Sequence, residues 1–498
     1  MNYAELIVFI LYFVFVLGIG FYFFFKTKNG GEKDYFLGGR NMNGLVSALS
    51  AGASDMSSWV LMGLPASIFA AGLGQVWIAV GLGIGTVLSW ILIAPRLRSF
   101  SIVCGDSITL PQFLTNRFLT SNKALQIICA VIFLVVYTIY AASSIKACGT
   151  LFNTVIGIET TTAMYIAAGI IIVYTFLGGF SAVCWTDFFQ GLLMLMALMV
   201  APIVALIAVQ GGHTPEIPFE VGENYWNPLS SGAFDWKSIS DILTGLGWGI
   251  GYFGMPHIII RYMAIKSPKE LKKSRVIGSL WTCLILIFSV AVGLVAVKYL
   301  GNFGTDNSTV FIEMVRRLFP GVISGILLSA ILAAAMSTCD SQLLASASAF
   351  SSDVYKPIIR KNASDKEMLW VGRIVVIVIS IAALLIASDP NSGSIMSLVE
   401  NAWGLFGAAF GPVVILSLFW KKFSFAGAVA GILAGGIVDA VWLILKGLDS
   451  MKDVKILSLY EIIPGFIVGM IAAVVFSLIF KPEQKVIDQF ENAKAYKD

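Results

Sequence analysis

The stretch SGILLSAILAAAMSTCDSQLLASASAF (324–350) carries a band of hydroxyl and carboxyl groups inside an apolar run: Ser337, Thr338, Asp340 and Ser341, then Ser346 and Ser348. In a helix the carbonyl of residue i lies beside the side chains at i+3 and i+4. The Ala334 carbonyl and the Ser337 and Thr338 hydroxyls would then put three oxygens on one face. A hard cation such as Na⁺ takes oxygen ligands, as Ca²⁺ and Mg²⁺ do. Close packing and interhelical hydrogen bonding are the ordinary work of Ser and Thr in membrane helices. Asp340, in the same band, favours the ion reading for Ser337 and Thr338, while Ser346, Ser348, Ser47 and Ser50 read as packing.

Two further stretches hold groups of chemical interest. LVSALSAGASDMSSWVLMGLPASIFAAG (45–72) has a small, polar middle with Asp55 in it. A charge at that depth costs at least ~2.5 kcal/mol on insertion scales, so an acid there is functional by default. ILTGLGWGIGYFGMPHIIIRY (242–262) holds Gly245, Gly247, Gly249, Gly251, Gly254 and Pro256. These weaken a helix and remove an amide donor. Unwound backbone survives in a bilayer only where protein buries it or where it lines a watery cavity. Carbonyls freed in the first stretch would complete an all-oxygen cage with Ala334, Ser337 and Thr338. Trp248 and Tyr252, four residues apart, share a helical face and read either as core or as the wall of a cavity between glycines. Asp187 reads as an intramembrane acid or as an interfacial one. His257, beside Pro256, reads as a packing histidine with its hydrogen bonds satisfied rather than a proton relay.

The elements that position these groups are membrane spans. Hydrophobic residues make up 58% of the chain and charged residues 12%, about half the charge of a soluble domain. Apolar runs fall near 4–25, 43–70, 73–94, 124–150, 160–180, 187–209, 240–264, 275–299, 320–349, 368–388, 395–419, 424–446 and 458–480. An all-α integral membrane protein of about 13 transmembrane helices follows. The first run lacks the basic start and small-residue cleavage site of a signal peptide and reads as a retained helix.

Lys and Arg gather in the connections after spans one, three, seven, nine, eleven and thirteen, including Lys26, Lys28, Lys33 and Arg40 after the first. The loop after span six instead holds Glu216, Glu220, Glu223 and Asp235. Cytoplasmic loops collect positive charge, so the N-terminus is expected outside and the C-terminus inside. Tyr225, Trp226 and Trp236 in that acidic loop read as an interfacial belt. The polar tail 481–498 reads as a helix or as disordered, with no function assigned.

Two histidines and six scattered cysteines without a CxxC pair leave no catalytic cluster, metal site or disulfide framework, so the chain does not read as an enzyme. A net charge of +4 spread over loops offers no nucleic-acid face. A channel would need a filter or charged ring, and a sensor an attached soluble domain; neither is evident.

The interrupted spans two and seven lie five helices apart. Five is odd, so two five-helix units would have opposite orientations in the membrane. Broken helices at matching places in two halves point to a transporter binding site. The expected organisation is 1–42, first helix and cytoplasmic loop; 43–209, first repeat; 210–239, extracellular loop; 240–419, second repeat; 420–480, spans twelve and thirteen; and 481–498, tail.

The segments DYFLGGR (34–40), ALSAGASDMSSW (48–59), LPQFLTNRF (110–118), FLGGFSAVCWTD (176–187), GWGIGYFGMPHIIIRYMA (247–264), GILLSAILAAAMST (325–338) and YEIIPGF (460–466) resemble the sodium/solute symporter family, and most of all its sodium/proline branch. The resemblance runs from about residue 4 to about residue 480. It implies a five-plus-five inverted repeat of the LeuT type with extra helices, Na⁺ as coupling ion, and a plasma-membrane location. It places a sodium site on the carbonyls of Ala53, Met56 and Ala334 and the hydroxyls of Ser337 and Thr338. Asp55 resembles the family's essential acid in the broken helix. Asp187 resembles the acid near a second ion position that also draws on Ser337 and Ser341; Asp340 stands where relatives often carry serine, so Asp55, Asp187, Asp340 and Ser341 are the candidates for a second ion site or ion path. For the solute the proline branch implies Ser57, Trp59, Tyr140, Trp248, Tyr252 and Pro256.

A proline zwitterion suits that set, because its ammonium is drawn to aromatic faces and its carboxylate to unwound amides. No mid-membrane arginine is expected. The function expected is sodium-coupled symport of a small organic solute, L-proline before pantothenate, a sugar or an acyl acid, by alternating access.

Overall fold

In a computed structural model the chain is described for residues 3–26, 32–177, 179–304 and 306–496. Lys28, Gly178 and Asp498 lie outside these residues. Among the described residues there is no strand, only an isolated parallel bridge between Met42 and Ile265. Ten uninterrupted helices among them are long and apolar enough to cross a membrane. The eighteen-residue helix Thr160–Leu177 and two interrupted helices complete the thirteen expected spans.

The second span runs as Gly44–Asp55, breaks, makes one 3₁₀ turn over Ser58–Val60, and resumes as Gly63–Ala71. Met56 closes the first half, donating its amide to the Gly52 carbonyl at 2.8 Å. Ser57 then takes an extended backbone (φ −61°, ψ −172°). The seventh span runs as Trp236–Gly247, tightens to 3₁₀ over Trp248–Phe253, and restarts as Pro256–Ala264. Pro256 sits in the first turn of the restarted helix, where its missing N–H costs nothing.

The glycines of span seven do more than weaken a helix. A Cβ on Gly81 would lie 2.2 Å from the Gly245 carbonyl oxygen, and one on Gly85 would lie 2.3 Å from that of Gly249. Spans three and seven therefore meet backbone to backbone, a contact only small residues permit. Gly251 does the same for Trp403 of span eleven, whose indole nitrogen would be 2.1 Å from an added Cβ.

The ninth span, Gly321–Phe350, is buried along nearly its whole length and continues as a π-helical turn over Ser351–Ile359. It packs against spans four (Ala124–Ile156), six (Phe180–Gln210) and one (Tyr3–Lys26).

The external loop departs from expectation. Tyr225 is buried, and its hydroxyl donates to the carbonyls of Ile68 (2.8 Å) and Phe69 (3.1 Å) at the end of span two. It is a latch on a helix terminus, whose carbonyls lack intrahelical partners, not part of an interfacial belt. Trp236 begins span seven, and its indole donates to the Lys455 carbonyl at 3.0 Å. Trp226 alone of the three is an exposed ring, with Lys298 5.5 Å from its centre. The tail forms a helix, Gln484–Ala495, held by Arg117, which donates to the Val486 carbonyl and lies 5.0 Å from the Phe490 ring centre.

Candidate ion and solute site

The break in span two and the hydroxyl band of span nine meet. Ser337 Oγ donates to the Ala53 carbonyl at 2.8 Å and reaches the Ala334 carbonyl at 3.2 Å. Thr338 Oγ1 lies 3.4 Å from the same Ala53 carbonyl. Ala53, Met56, Ala334, Ser337 and Thr338 are all fully buried. Helix–helix contact alone would not need two hydroxyls on one carbonyl; oxygens gathered from two helices suit a small hard cation.

Aromatic rings form a second group on the other side of the break. Trp59 and Trp248 have ring centres 5.8 Å apart, and Trp248 lies 6.4 Å from Trp403 and 5.3 Å from Tyr460. Trp403 donates its indole N–H to the Trp248 carbonyl at 2.8 Å, which fixes the seventh span's 3₁₀ turn. Tyr252 packs edge-on to Trp403 at 5.3 Å and donates its hydroxyl to Asp55. Ser57 and Pro256 stand at the two breaks. The Tyr140 hydroxyl is buried beside Ser57, and its ring faces His257 edge-on at 6.3 Å.

A third group lies around Asp187. Its carboxylate accepts from Ser50 Oγ at 2.6 Å and from Arg261 Nη2 at 3.2 Å. Arg261 also donates to Ser341 at 2.5 Å, to Ser50 at 3.1 Å and to the His257 carbonyl, and its guanidinium lies 5.5 Å from the Phe180 ring centre. Ser341 in turn contacts Asp340 at 3.3 Å.

Asp187 is fully buried within the protein. One expectation changes here. An arginine does sit inside the spanning region: Arg261 is 2% exposed and paired with that acid. Asp55 faces the aromatic group through its bond with Tyr252.

His257 is satisfied as expected. Its Nε2 donates to the Ser54 carbonyl at 3.1 Å, and Tyr137 hydroxyl donates to Nδ1 at 3.2 Å. Trp403 and Tyr460 were not singled out from the sequence. The signal for Trp403 was its place just before two glycines in NAWGLFG (401–407), and Tyr460 opens the segment YEIIPGF (460–466).

A helical membrane protein with two interrupted spans crossing at a buried, oxygen-lined centre has the fold of a multi-pass transporter. The sequence profile of the sodium:solute symporter family matches residues 35–435. The chain is 43% identical over 503 residues to the sodium/proline symporter of Haemophilus influenzae, covering 99% of this chain and 98% of that one. It is 42% identical to the high-affinity proline transporter PutP of Bacillus subtilis, covering 96% and 98%. Among solved structures it resembles a Na⁺-coupled sialic acid symporter in a substrate-bound outward-open state, with a TM-score of 0.77, 21% identity, and coverage of 96% and 98%. It also resembles MhsT in complex with L-phenylalanine, with a TM-score of 0.53, 14% identity, and coverage of 87% and 97%. This chain belongs to the sodium:solute symporter family. Its fold is the five-plus-five inverted repeat of the LeuT type with extra helices, and it is a sodium-coupled membrane transporter rather than an enzyme.

Proposed function

We propose that this chain imports L-proline together with Na⁺ across the plasma membrane by alternating access. The observation that carries the reading is the meeting of Ser337 and Thr338 with the Ala53 carbonyl, because it joins the two spans that must part when the site opens. The relatives named for proline, at 42–43% identity over nearly the full length, support the choice of solute.

Na⁺ binds between spans two and nine, on the carbonyls of Ala53, Met56 and Ala334 and the hydroxyls of Ser337 and Thr338. Proline binds between spans two and seven. Trp59, Trp248 and Tyr252 enclose its ring, with Trp403 behind them. The hydroxyls of Ser57 and Tyr140 receive its carboxylate. Asp187, Asp340 and Ser341 form a second ion position or path, on which Arg261 already supplies a positive charge. Asp55 stabilises the break through Tyr252 and sets a negative field beside both ligands.

The repeats are 43–209 and 240–419, with the N-terminus outside and the C-terminus inside. Each ligand raises the other's affinity by the same factor. Sodium and voltage drive uptake, the latter at ~2.3 kcal/mol per charge per 100 mV.

The test is uptake of radiolabelled amino acids into proteoliposomes holding the purified chain, with and without a sodium gradient. Sodium-dependent uptake of proline above other amino acids is expected; equal uptake without sodium would overturn the reading.

A further inference from the structure

Asp353 is a fully buried carboxylate in the π-helical turn that ends span nine, and nothing above uses it. One of its oxygens accepts from Thr109 Oγ1 at 2.8 Å. The other, Oδ1, is buried without a hydrogen-bond partner among the described residues. Gln126 of span four lies against it, and its own Oε1 is likewise buried and unpartnered. Thr109 and Gln126 are 2% and 5% exposed, so three elements bury the carboxylate together: span nine, span four, and the start of the short helix Leu110–Arg117.

The charged groups facing Asp353 are Lys123 and Glu32, and Glu32 is itself engaged by Lys356 at 2.5 Å. No ion pair neutralises Asp353 among the described residues, although a buried carboxylate is costly unless a positive charge accompanies it. The Thr109 hydroxyl and the Gln126 amide beside it each carry an oxygen, which is what Na⁺ takes. π-turns inside helices frequently mark functional sites.

Position completes the argument. Asp353 lies twelve residues beyond Ser341 on the helix that carries the Ser337–Thr338 pair, about 18 Å along its axis. Beyond it come Lys356 and Arg360, paired with Glu32 and Glu367, and Lys361, whose charge opposes a departing cation. A carboxylate at this depth would offset that barrier.

We propose that Asp353, Thr109 and Gln126 form a binding station for Na⁺ at the cytoplasmic end of span nine, the last stop of the coupling ion before release. The station rests on the sodium-coupled reading above and extends it to an ion exit.

The experiment uses right-side-out and inside-out membrane vesicles from cells producing the full chain, with sodium and radiolabelled proline as probes. Asp353→Asn should raise the sodium concentration for half-maximal flux at the cytoplasmic face by about five-fold, the effect of one charge-assisted contact, and leave the outer face within about two-fold. Asp353→Glu should restore much of the difference. Equal shifts on both faces, no shift on either, or a change confined to the pH profile would each overturn the proposal; the last would make this a proton site. Where Asp353→Asn fails to reach the membrane, Gln126→Leu is read in the same way. If the unaltered chain shows no sodium-driven proline flux, it is the transport reading that fails. The station is then judged by ²²Na⁺ binding to the purified chain, which Asp353→Asn must lower; unchanged binding overturns it.

Discussion

The hydroxyl of Ser337 on the ninth span lies 2.8 Å from the carbonyl of Ala53, three residues before the second span breaks. Two helices distant in sequence thus share one oxygen cluster, and Thr338 joins it at 3.4 Å. The cluster exists only while the two spans are together, so a cation bound there stabilises that arrangement.

Thr338→Ala, and to a lesser degree Ser337→Ala, is expected to raise the sodium concentration for half-maximal uptake. One lost oxygen contact is worth roughly 1 kcal/mol, or about five-fold. Solute affinity should fall at low sodium and recover at high sodium, because the coupling is reciprocal. Solute binding against sodium concentration in detergent measures this. A Thr338→Ala curve that overlays the parent's, with only expression reduced, would assign the pair to packing.

Trp248→Ala and Tyr252→Ala are expected to weaken proline binding by roughly 1–3 kcal/mol while sodium binding by itself changes little. Trp403→Phe should produce a smaller loss of the same kind, since it removes the bond to the Trp248 carbonyl and keeps an aromatic, though smaller, ring. Proline binding by isothermal titration at saturating sodium separates these cases. Normal affinity in the Trp248 and Tyr252 variants would make both residues ordinary core.

Asp55→Ala is expected to abolish sodium-driven uptake, because it strands the Tyr252 hydroxyl and removes the only acid at the break. Tyr252→Phe should leave measurable transport, since the carboxylate remains. Initial uptake rates across a sodium series test the pair. Near-normal uptake by Asp55→Ala with an unchanged sodium dependence would remove Asp55 from the mechanism.

Arg261→Met and Asp187→Asn are expected to be non-additive. Removing Arg261 leaves a buried acid unpaired, at a cost of roughly 3–5 kcal/mol, whereas removing both charges together costs far less. Thermal unfolding of the four proteins in detergent measures the coupling. Additive losses would mean that the 3.2 Å contact carries no energy of its own.

Much of this protein was written in the order of its residues. Bilayer thickness fixes how long an apolar run must be, so about thirteen apolar runs could be located from hydropathy, ten of which form continuous helices long enough to span among the described residues. Gly, Pro and a lone acid inside such runs are locally unfavourable to a continuous helix, so the breaks near Asp55 and Pro256 could be located as well. The i, i+3 and i+4 geometry of one helix was enough to group Ala334, Ser337 and Thr338. Which groups meet across helices was not legible, because helical periodicity says nothing about rotation or partners. Only the packed structure turned Asp55 toward Tyr252, brought Arg261 to Asp187, and set Trp403 against the Trp248 carbonyl. The same holds for Gly245 and Gly249, whose missing side chains weaken one helix in the sequence and admit the backbone of another in the fold. A local pattern determines what a segment can bury. The partners it meets are decided by close packing of whole helices, where an added methyl group at Gly81 would collide with a carbonyl on another span.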